Sequence, residues 1–430
     1  MLNSKTRIIL TIVLLIMVSF YQVTAQTRIS SPYSKFGLGE LEDYNNTRYA
    51  AMGGMGIALN NPYSVNVLNP ASYAAFDSLS FVFEGGVISN FSTIKNNTLS
   101  QKSNYTSLSY ITFGFPITKW WRASFGLLPY SNVGFKVSDK ESIANVGNVT
   151  YRYEGSGGIN QLYLGNAIKF NKNLSIGFNA SYLFGALVKT NSILFPDSAL
   201  MYNSKTVNTV NIGNFCFKLG LQYNKKLTKD YTLFTGAVLG TTTNATTNED
   251  FLTYTYSLTA AGNEVVHDTN ENVTNVKGTV RFPMSYGFGI ALERNEKWLL
   301  GVDYSVQNWS DYTYDGYQDS LKNSMKISIG LELKPNPMAR YFYQRVAYRL
   351  GYKYAKNYLQ IDNNKLTEYG VSFGIGLPLR KTKSTINLAV EIGKRGTTSI
   401  TDPRLLQENY VKFTLGFSAH DVWFFKRKFD

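Results

Sequence analysis

Hydrophobic and polar residues alternate along several stretches of this chain. From Trp298, the even positions through Val306 are apolar or aromatic, whereas the odd positions through Gln307 are mainly small or polar. The same two-residue period recurs in residues 215–224, 325–334, 346–355 and 411–418. Because successive side chains of a strand point to opposite faces, each stretch predicts a β-strand with one apolar face. Cys216, the only cysteine, falls on a polar face.

The number and length of these strands indicate a membrane barrel. Fourteen strands, most of ten residues or more, are predicted near residues 79–89, 105–116, 120–130, 158–170, 173–186, 213–226, 229–241, 280–294, 297–308, 324–334, 344–356, 367–378, 384–395 and 409–425. Short turns, such as Pro335 to Pro337, alternate with long polar segments at 131–157, 187–212, 242–279 and 309–323. This alternation is typical of an antiparallel up-and-down outer-membrane barrel. A soluble sandwich would pack its apolar face in a core and allow apolar residues on the second face, where they are not enriched.

The N-terminus predicts export. Lys5 and Arg7 precede an apolar run from Ile8 to Phe20, and small residues at Val23 and Ala25 suit a cleavage site. The run is shorter than the roughly 20 residues that a membrane-spanning helix needs. We therefore predict a signal peptide at residues 1–25, a second segment at 26–78 and a barrel at 79–430.

Composition excludes several classes of protein. Charged residues make up 17% of the chain and aromatic residues 15%, which argues against disorder and coiled coils. The net charge is +14, but the cations occur singly or in short clusters, so we expect no nucleic-acid partner. The two histidines, His267 and His420, form no metal-ligand or catalytic motif, and we expect no enzyme activity, metal or cofactor.

The predicted inner face of the barrel carries charges of both signs. They are Lys218, Asp303, Lys326, Glu332, Arg349, Lys353, Glu391 and Lys412. Two interpretations stay open: ion pairs that brace the wall around an inner segment, or a charged lining that selects solutes. Many inner positions are glycine, which lets another backbone approach closely.

Aromatic and proline residues suggest two further features. Trp120, Trp121, Trp298, Trp309 and Trp423 lie at strand ends, where they would form interfacial girdles. Three prolines fall within predicted strands and would each interrupt a ladder, either as a lateral opening or as a strand end or bulge: Pro116, Pro129 and Pro283.

Residues 26–78 are rich in turn formers and could fold into the lumen as a plug. The run Ala50 to Leu59 contains Gly53 and Gly54, and Asn69-Pro70-Ala71 follows. These motifs resemble the N-terminal hatch of the FadL/TodX outer-membrane transport family. Residues 31–39 and the C-terminal Phe417 to Asp430 resemble its Bacteroidetes-type members.

The resemblance implies a fourteen-stranded barrel for passive uptake of small hydrophobic molecules, such as fatty acid-like or aromatic compounds, with sideways release into lipid. On that analogy Gly53, Gly54, Asn69, Pro70 and Ala71 form the hatch and gate the ligand. No site for a ligand carboxylate matches the family.

The same features resemble the PorV branch of the family, a partner and shuttle subunit of the type IX secretion system. That alternative implies a protein partner in secretion or surface assembly, a long partner-binding outer loop and a lumen sealed by charge pairs.

Overall fold

The strands of this protein form one antiparallel sheet. The computed structural model describes residues 31–43, 46–198, 200–318, 320–336, 339–361, 364–380, 382–399 and 405–423, so the predicted signal peptide lies outside the described residues. The strands are β1 (Glu40–Leu41), β2 (Ser80–Lys95), β3 (Ser100–Pro116), β4 (Trp121–Asn132), β5 (Phe135–Ile143), β6 (Gly147–Lys169), β7 (Leu174–Leu194), β8 (Asn203–Lys226), β9 (Tyr231–Gly240), β10 (Thr243–Leu258), β11 (Glu264–Phe282), β12 (Ser285–Arg294), β13 (Trp298–Gln307), β14 (Thr313–Tyr314), β15 (Tyr317–Gln318), β16 (Ser324–Leu333), β17 (Ala347–Ile361), β18 (Asn364–Pro378), β19 (Thr385–Gly396) and β20 (Gln407–Val422). Short 3-10 helices lie at Pro32–Lys35, Pro70–Ala75 and Trp309–Asp311, and single helical turns at Thr47–Ala50 (α1) and Phe342–Arg345 (α2).

The sheet closes into the predicted fourteen-strand barrel. Neighbouring wall strands pair antiparallel, and β2 pairs with β20 from Ser80↔Val422 to Lys95↔Gln407. Three wall strands are interrupted and consist of two pieces each, namely β4 with β5, β9 with β10, and β11 with β12. Closure removes the sheet edges that would otherwise expose unpaired backbone groups.

The two faces of the wall differ as the alternation predicts. Phe215, Leu300 and Leu415 are half exposed on the outer face, whereas Leu299 and Asp303 of the same β13 ladder are buried. Among the described residues, no helix has the length and apolar character needed to cross a membrane.

The long outer loops predicted from the sequence are mostly strand, and that prediction is wrong for three of them. Segments 131–157, 187–212 and 242–279 contribute to β5 and β6, to β7 and β8, and to β10 and β11. These extensions have no continuous apolar face, so the two-residue period in the sequence stops before the strand itself ends. In segment 309–323, the described residues form a 3-10 helix, the two-residue strands β14 and β15, and irregular structure.

One turn and one tryptophan also depart from expectation. The turn between β16 and β17 runs from 334 to 346 and contains α2, so β17 begins at Ala347 and not at 344. Trp309 is fully buried and stacks on Tyr358 at 4.5 Å between ring centroids, so it belongs to an internal apolar cluster. Trp120 and Trp423 are exposed at strand ends, as a girdle requires.

The three strand prolines lie at irregular positions. Pro116 ends β3, and the register between β4 and β6 shifts between Pro129 and Ser131. Pro283 lies between β11 and β12. Each proline therefore lies where a ladder ends or slips, because proline has no amide hydrogen to donate.

Candidate functional site

The residues before β2 pack against the inner face of the wall. This N-terminal segment comprises residues 31–43 and 46–79. Tyr49, Met52, Met55 and Ala58 are completely or almost completely buried and cluster with Ala291 and Leu299 of the wall. The first wall strand begins at Ser80, but the predicted boundaries at 25 and 78 stay predictions.

Glycines allow the two backbones to touch. Gly53 has a φ of +67°, and a Cβ there would lie 2.6 Å from the Tyr352 carbonyl oxygen. The Gly53 amide donates to Ser372 Oγ at 2.8 Å. From the other side, a Cβ on Gly351 would overlap the Gly53 amide. Gly54 follows, also at positive φ and buried.

The Asn69-Pro70-Ala71 motif caps a helix and contacts the wall. Asn69 Oδ1 accepts from the Ala71 amide at 3.1 Å, which caps the 3-10 helix Pro70–Ala75. Asn69 Nδ2 donates to the Ile57 carbonyl at 2.8 Å and to the Leu221 carbonyl of β8 at 3.1 Å. A Cβ on Gly220 would lie 2.8 Å from Pro70 Cδ, so the wall glycine admits the proline ring.

Two buried wall carboxylates hold the N-terminal segment. Asp303 Oδ2 accepts from the amides of Gly56 and Ile57 at 2.6 and 2.7 Å. Glu84 Oε2 accepts from Asn46 Nδ2 and the Val65 amide, each at 3.1 Å. Alternation along β13 predicted the inner position of Asp303, but Glu84 was not predicted. The signal for Glu84 in the sequence is its place on β2 between Val82 and Gly86, which lie on the same face.

Predicted lining residues form one ion-pair cluster with the N-terminal segment. Arg349 Nε lies 2.7 Å from Glu332 Oε2, and both side chains are 5% exposed. Arg48 of α1 reaches the other oxygen of Glu332 at 2.9 Å, and Lys334 lies 3.1 Å from it. Arg48 was missed, since its partner is 284 residues away.

A second cluster surrounds Lys353. Its ammonium lies 2.8 Å from Glu368 and 2.8 Å from Glu391, and 3.3 Å from Asp43 of the N-terminal segment. Asp43 also lies 2.6 Å from Lys326. Lys412 stands over the Tyr410 ring at 4.8 Å, and Lys218 borders the lumen cavity described below. Whether any of these groups selects a solute stays a prediction.

A third cluster, missed from the sequence, joins Glu40 to the wall. Arg395 Nη1 lies 2.7 Å from Glu40, and the same guanidinium binds Glu408, which also accepts from Ser31. Burial alone would raise the pKa of the Glu40 carboxyl, but the charges of Arg395 and Lys412 and the hydrogen bond from Arg395 together lower that pKa below its ordinary value. In the described part of the chain, no three His, Cys, Asp or Glu side chains are grouped to hold a metal ion.

A cavity of about 330 Å³ lies in the lumen beside these clusters. One part of its lining is apolar or aromatic and includes Leu183, Phe282 and Tyr358. Another part carries Lys326, Lys353 and Asp43. The cavity therefore offers both apolar surface and ionised groups, most of which are paired with each other.

Strands β3 and β4 of the wall separate beside this cavity. The register between β3 and β4 covers Ile111–Pro116 with Arg122–Leu127 and ends there. Further along β4, Asn132 and Ser131 pair with Glu40 and Leu41 of β1, so the N-terminal segment takes the edge position that β3 leaves. Two small cavities, of about 10 and 40 Å³, lie between Ser109 and Pro129, and Asp43 borders both of them as well as the lumen cavity.

Comparisons with known proteins agree on the architecture. A family model described as BamG matches residues 6–430. The toluene transporter TbuX of Ralstonia pickettii is similar in structure, with a TM-score of 0.56 and 14% identity over 91% of this chain and 98% of TbuX. The toluene transporter TodX of Pseudomonas putida has a TM-score of 0.55 and 18% identity, over 90% of this chain and 100% of TodX.

A FadL homologue of Pseudomonas aeruginosa has a TM-score of 0.57 and 13% identity, over 88% of this chain and 98% of its own. No curated protein matches the sequence significantly. At these identities the structural likeness establishes the fold.

Proposed function

The chain belongs to the BamG family, and we propose that it is an outer-membrane channel that passes small hydrophobic molecules sideways from its lumen into lipid. The row of exposed leucine, valine and aromatic side chains around the wall supports a membrane location. The observation that carries the proposal is the parting of β3 and β4 beyond Ile111↔Leu127, directly beside the lumen cavity.

In this proposal the N-terminal segment is the plug. A barrel of fourteen strands is wide enough to leave an aqueous pore unless something fills it. The hydrogen bonds of Gly53, Asn69 and Asp303 between this segment and the wall support a segment that is held in place along its length. A molecule from the lumen cavity would pass Asp43 and leave between Ser109 and Pro129.

The lining of the cavity supports a cargo with an apolar body and a polar group. Leu183 and Phe282 offer apolar contact, and Lys326 lies on a different part of the lining. Fatty acid-like molecules have this character. Two structural relatives are named toluene transporters, which is consistent with a hydrophobic cargo.

The experiment closes the parted wall with a cross-link. Ser109→Cys and Pro129→Cys are introduced together with Cys216→Ser, and a cleavable bis-maleimide joins the two thiols. We expect uptake of a radiolabelled long-chain fatty acid by proteoliposomes to fall on cross-linking and to recover on cleavage. The matched control is Ile111→Cys with Leu127→Cys, because these residues pair where the wall is already closed. Equal uptake before and after cross-linking at Ser109 and Pro129 would contradict the proposal.

A second candidate is a non-channel partner subunit of a protein secretion or surface-assembly system. The observation that favours it is the β10–β11 hairpin, in which Glu264–Lys277 are all exposed. Replacing residues 247–277 by a short turn tests it. Loss of a co-purifying membrane protein, with fatty acid uptake unchanged or absent in both forms, would favour this candidate.

A further inference from the structure

The positive charge of this chain is concentrated at one end of the barrel. Six turns join wall strands at the end where connections are short. We call this set the short-turn rim, and its described residues are 117–120, 170–173, 227–230, 295–297, 334–336, 339–346, 379–380 and 382–384. Each turn carries at least one lysine or arginine, and the acidic residues within the set are Asp230 and Glu296.

The opposite end has no such bias. The β10–β11 hairpin carries five acidic residues against Lys277 and Arg281, namely Glu249, Asp250, Glu264, Asp268 and Glu271. The β5–β6 extension is balanced, and Lys136 pairs with Glu154 at 2.8 Å. The net charge of +14 therefore does not spread evenly along the barrel axis.

The cations of the rim alternate with exposed apolar side chains. Phe170 is 73% exposed beside Lys172, and Leu227 is 51% exposed near Lys229. Tyr341, Phe342 and Tyr343 are consecutive, all more than half exposed, and Arg340 and Arg345 flank them. Aromatic and aliphatic groups mixed with cations suit the boundary between acyl chains and headgroups.

Residues 342–346 of the turn before β17 lie beside the outer face of the wall. Tyr348, on the outward face of β17, donates its hydroxyl to the Tyr343 carbonyl at 3.0 Å. The Arg345 guanidinium lies over the Phe342 ring at 5.7 Å. Arg345 is partly exposed, although its Nε atom is buried and has no hydrogen-bond partner among the described residues.

We propose that the short-turn rim binds the phosphate groups of anionic phospholipids in the leaflet that it faces. Guanidinium and ammonium groups pair with phosphate oxygens, and the neighbouring apolar side chains enter the acyl region. A lipid surface fits better than a soluble acidic protein, because the exposed apolar groups continue the outward row at Leu333 and Tyr348. The inference rests on the membrane location proposed above.

The test compares two variants with equal charge loss. The rim variant carries Arg340→Gln, Arg345→Gln, Arg380→Gln and Lys383→Gln. The control variant changes four exposed cations of the opposite end, by Lys136→Gln, Lys140→Gln, Lys277→Gln and Arg281→Gln. Each protein is reconstituted in nanodiscs with equal phosphatidylglycerol and phosphatidylcholine, and the lipids retained after release are measured by native mass spectrometry.

We expect the unmodified protein and the control variant to retain phosphatidylglycerol over phosphatidylcholine by about fivefold or more. The rim variant should lose most of this preference. An unmodified protein without preference, a rim variant that keeps it, or equal losses in both variants overturns the inference. The inference is also overturned if an acidic protein that purifies with the unmodified protein is lost from the rim variant while the lipid preference stays unchanged. Failure of the folded protein to insert into nanodiscs would instead contradict the membrane location.

Discussion

The contact between Asp303 and two amides of the N-terminal segment allows a quantitative prediction. Asp303→Ala removes the acceptor of the Gly56 and Ile57 amides, which are held at 2.6 and 2.7 Å. A buried donor that loses its acceptor costs about 1–3 kcal/mol, so two donors cost about 2–6 kcal/mol. Asp303 also borders the lumen cavity, where water can bond to the two amides and offset part of this cost. We therefore expect a net cost of about 2–3 kcal/mol.

Amide hydrogen exchange measures this cost directly. Local opening of the N-terminal segment should become more frequent by about 30- to 150-fold, since about 1.4 kcal/mol is a factor of ten. Peptides that cover residues 50–60 should exchange faster by that factor in purified micellar protein. Peptides from β17 and β18 should be unchanged, because the wall ladders do not depend on this contact.

The matched control for Asp303 is Ser328→Ala. Ser328 is the ladder partner of Asp303 on β16 and is buried, but its hydroxyl has no hydrogen-bond partner among the described residues. Its removal should leave the exchange of residues 50–60 within about threefold of the unmodified protein. Equal exchange in Asp303→Ala and the unmodified protein would refute the reasoning. So would equal acceleration by the two substitutions.

Three further predictions concern the same contacts. Gly351→Ala should lower the unfolding temperature in heat-modifiability gels by an amount equivalent to about 1–3 kcal/mol, because the new Cβ would overlap the Gly53 amide. The control Gly85→Ala should change the unfolding temperature little, because the nearest atom to a Cβ there is 3.6 Å away. Asn69→Ala should cost about 1–3 kcal/mol in urea unfolding, since it removes a helix cap and leaves the Ile57 carbonyl without this donor; a change below about 0.5 kcal/mol would count against it. Asp43→Asn should accelerate fatty acid uptake by proteoliposomes, because it weakens the ion pairs with Lys326 and Lys353 that hold Asp43 across the proposed path. The gain should be about fivefold at most, since Asp43 is partly exposed and each such pair is worth about 1 kcal/mol or less. Slower uptake would contradict the place of Asp43 on the path.

The outward apolar face of the barrel was predictable from the sequence. An uninterrupted apolar row runs along β13, β16 and β20, so these strands show the two-residue period directly. The strand extensions at one end of the barrel have no such row, and β5, β10 and most of β11 were therefore predicted as loops.

The internal contacts were less predictable because they depend on barrel closure. Alternation placed Glu332, Arg349 and Lys353 on the inner face, but not their partners. Arg48 and Glu332 are separated by 284 residues, and no local pattern links them. Glu84 and Arg395 were missed for the same reason, since the register of distant strands decides what each side chain meets.

The pairing of β1 with β4 has a consequence for how the chain folds. Glu40 pairs with Asn132, and Gly53 contacts Ser372, which is 319 residues away. These contacts lie inside a wall whose final seam joins β2 to β20. The N-terminal segment therefore joins β4 to β18, and its contacts are complete only when both of these strands are in place. Such long sequence separations favour slow folding.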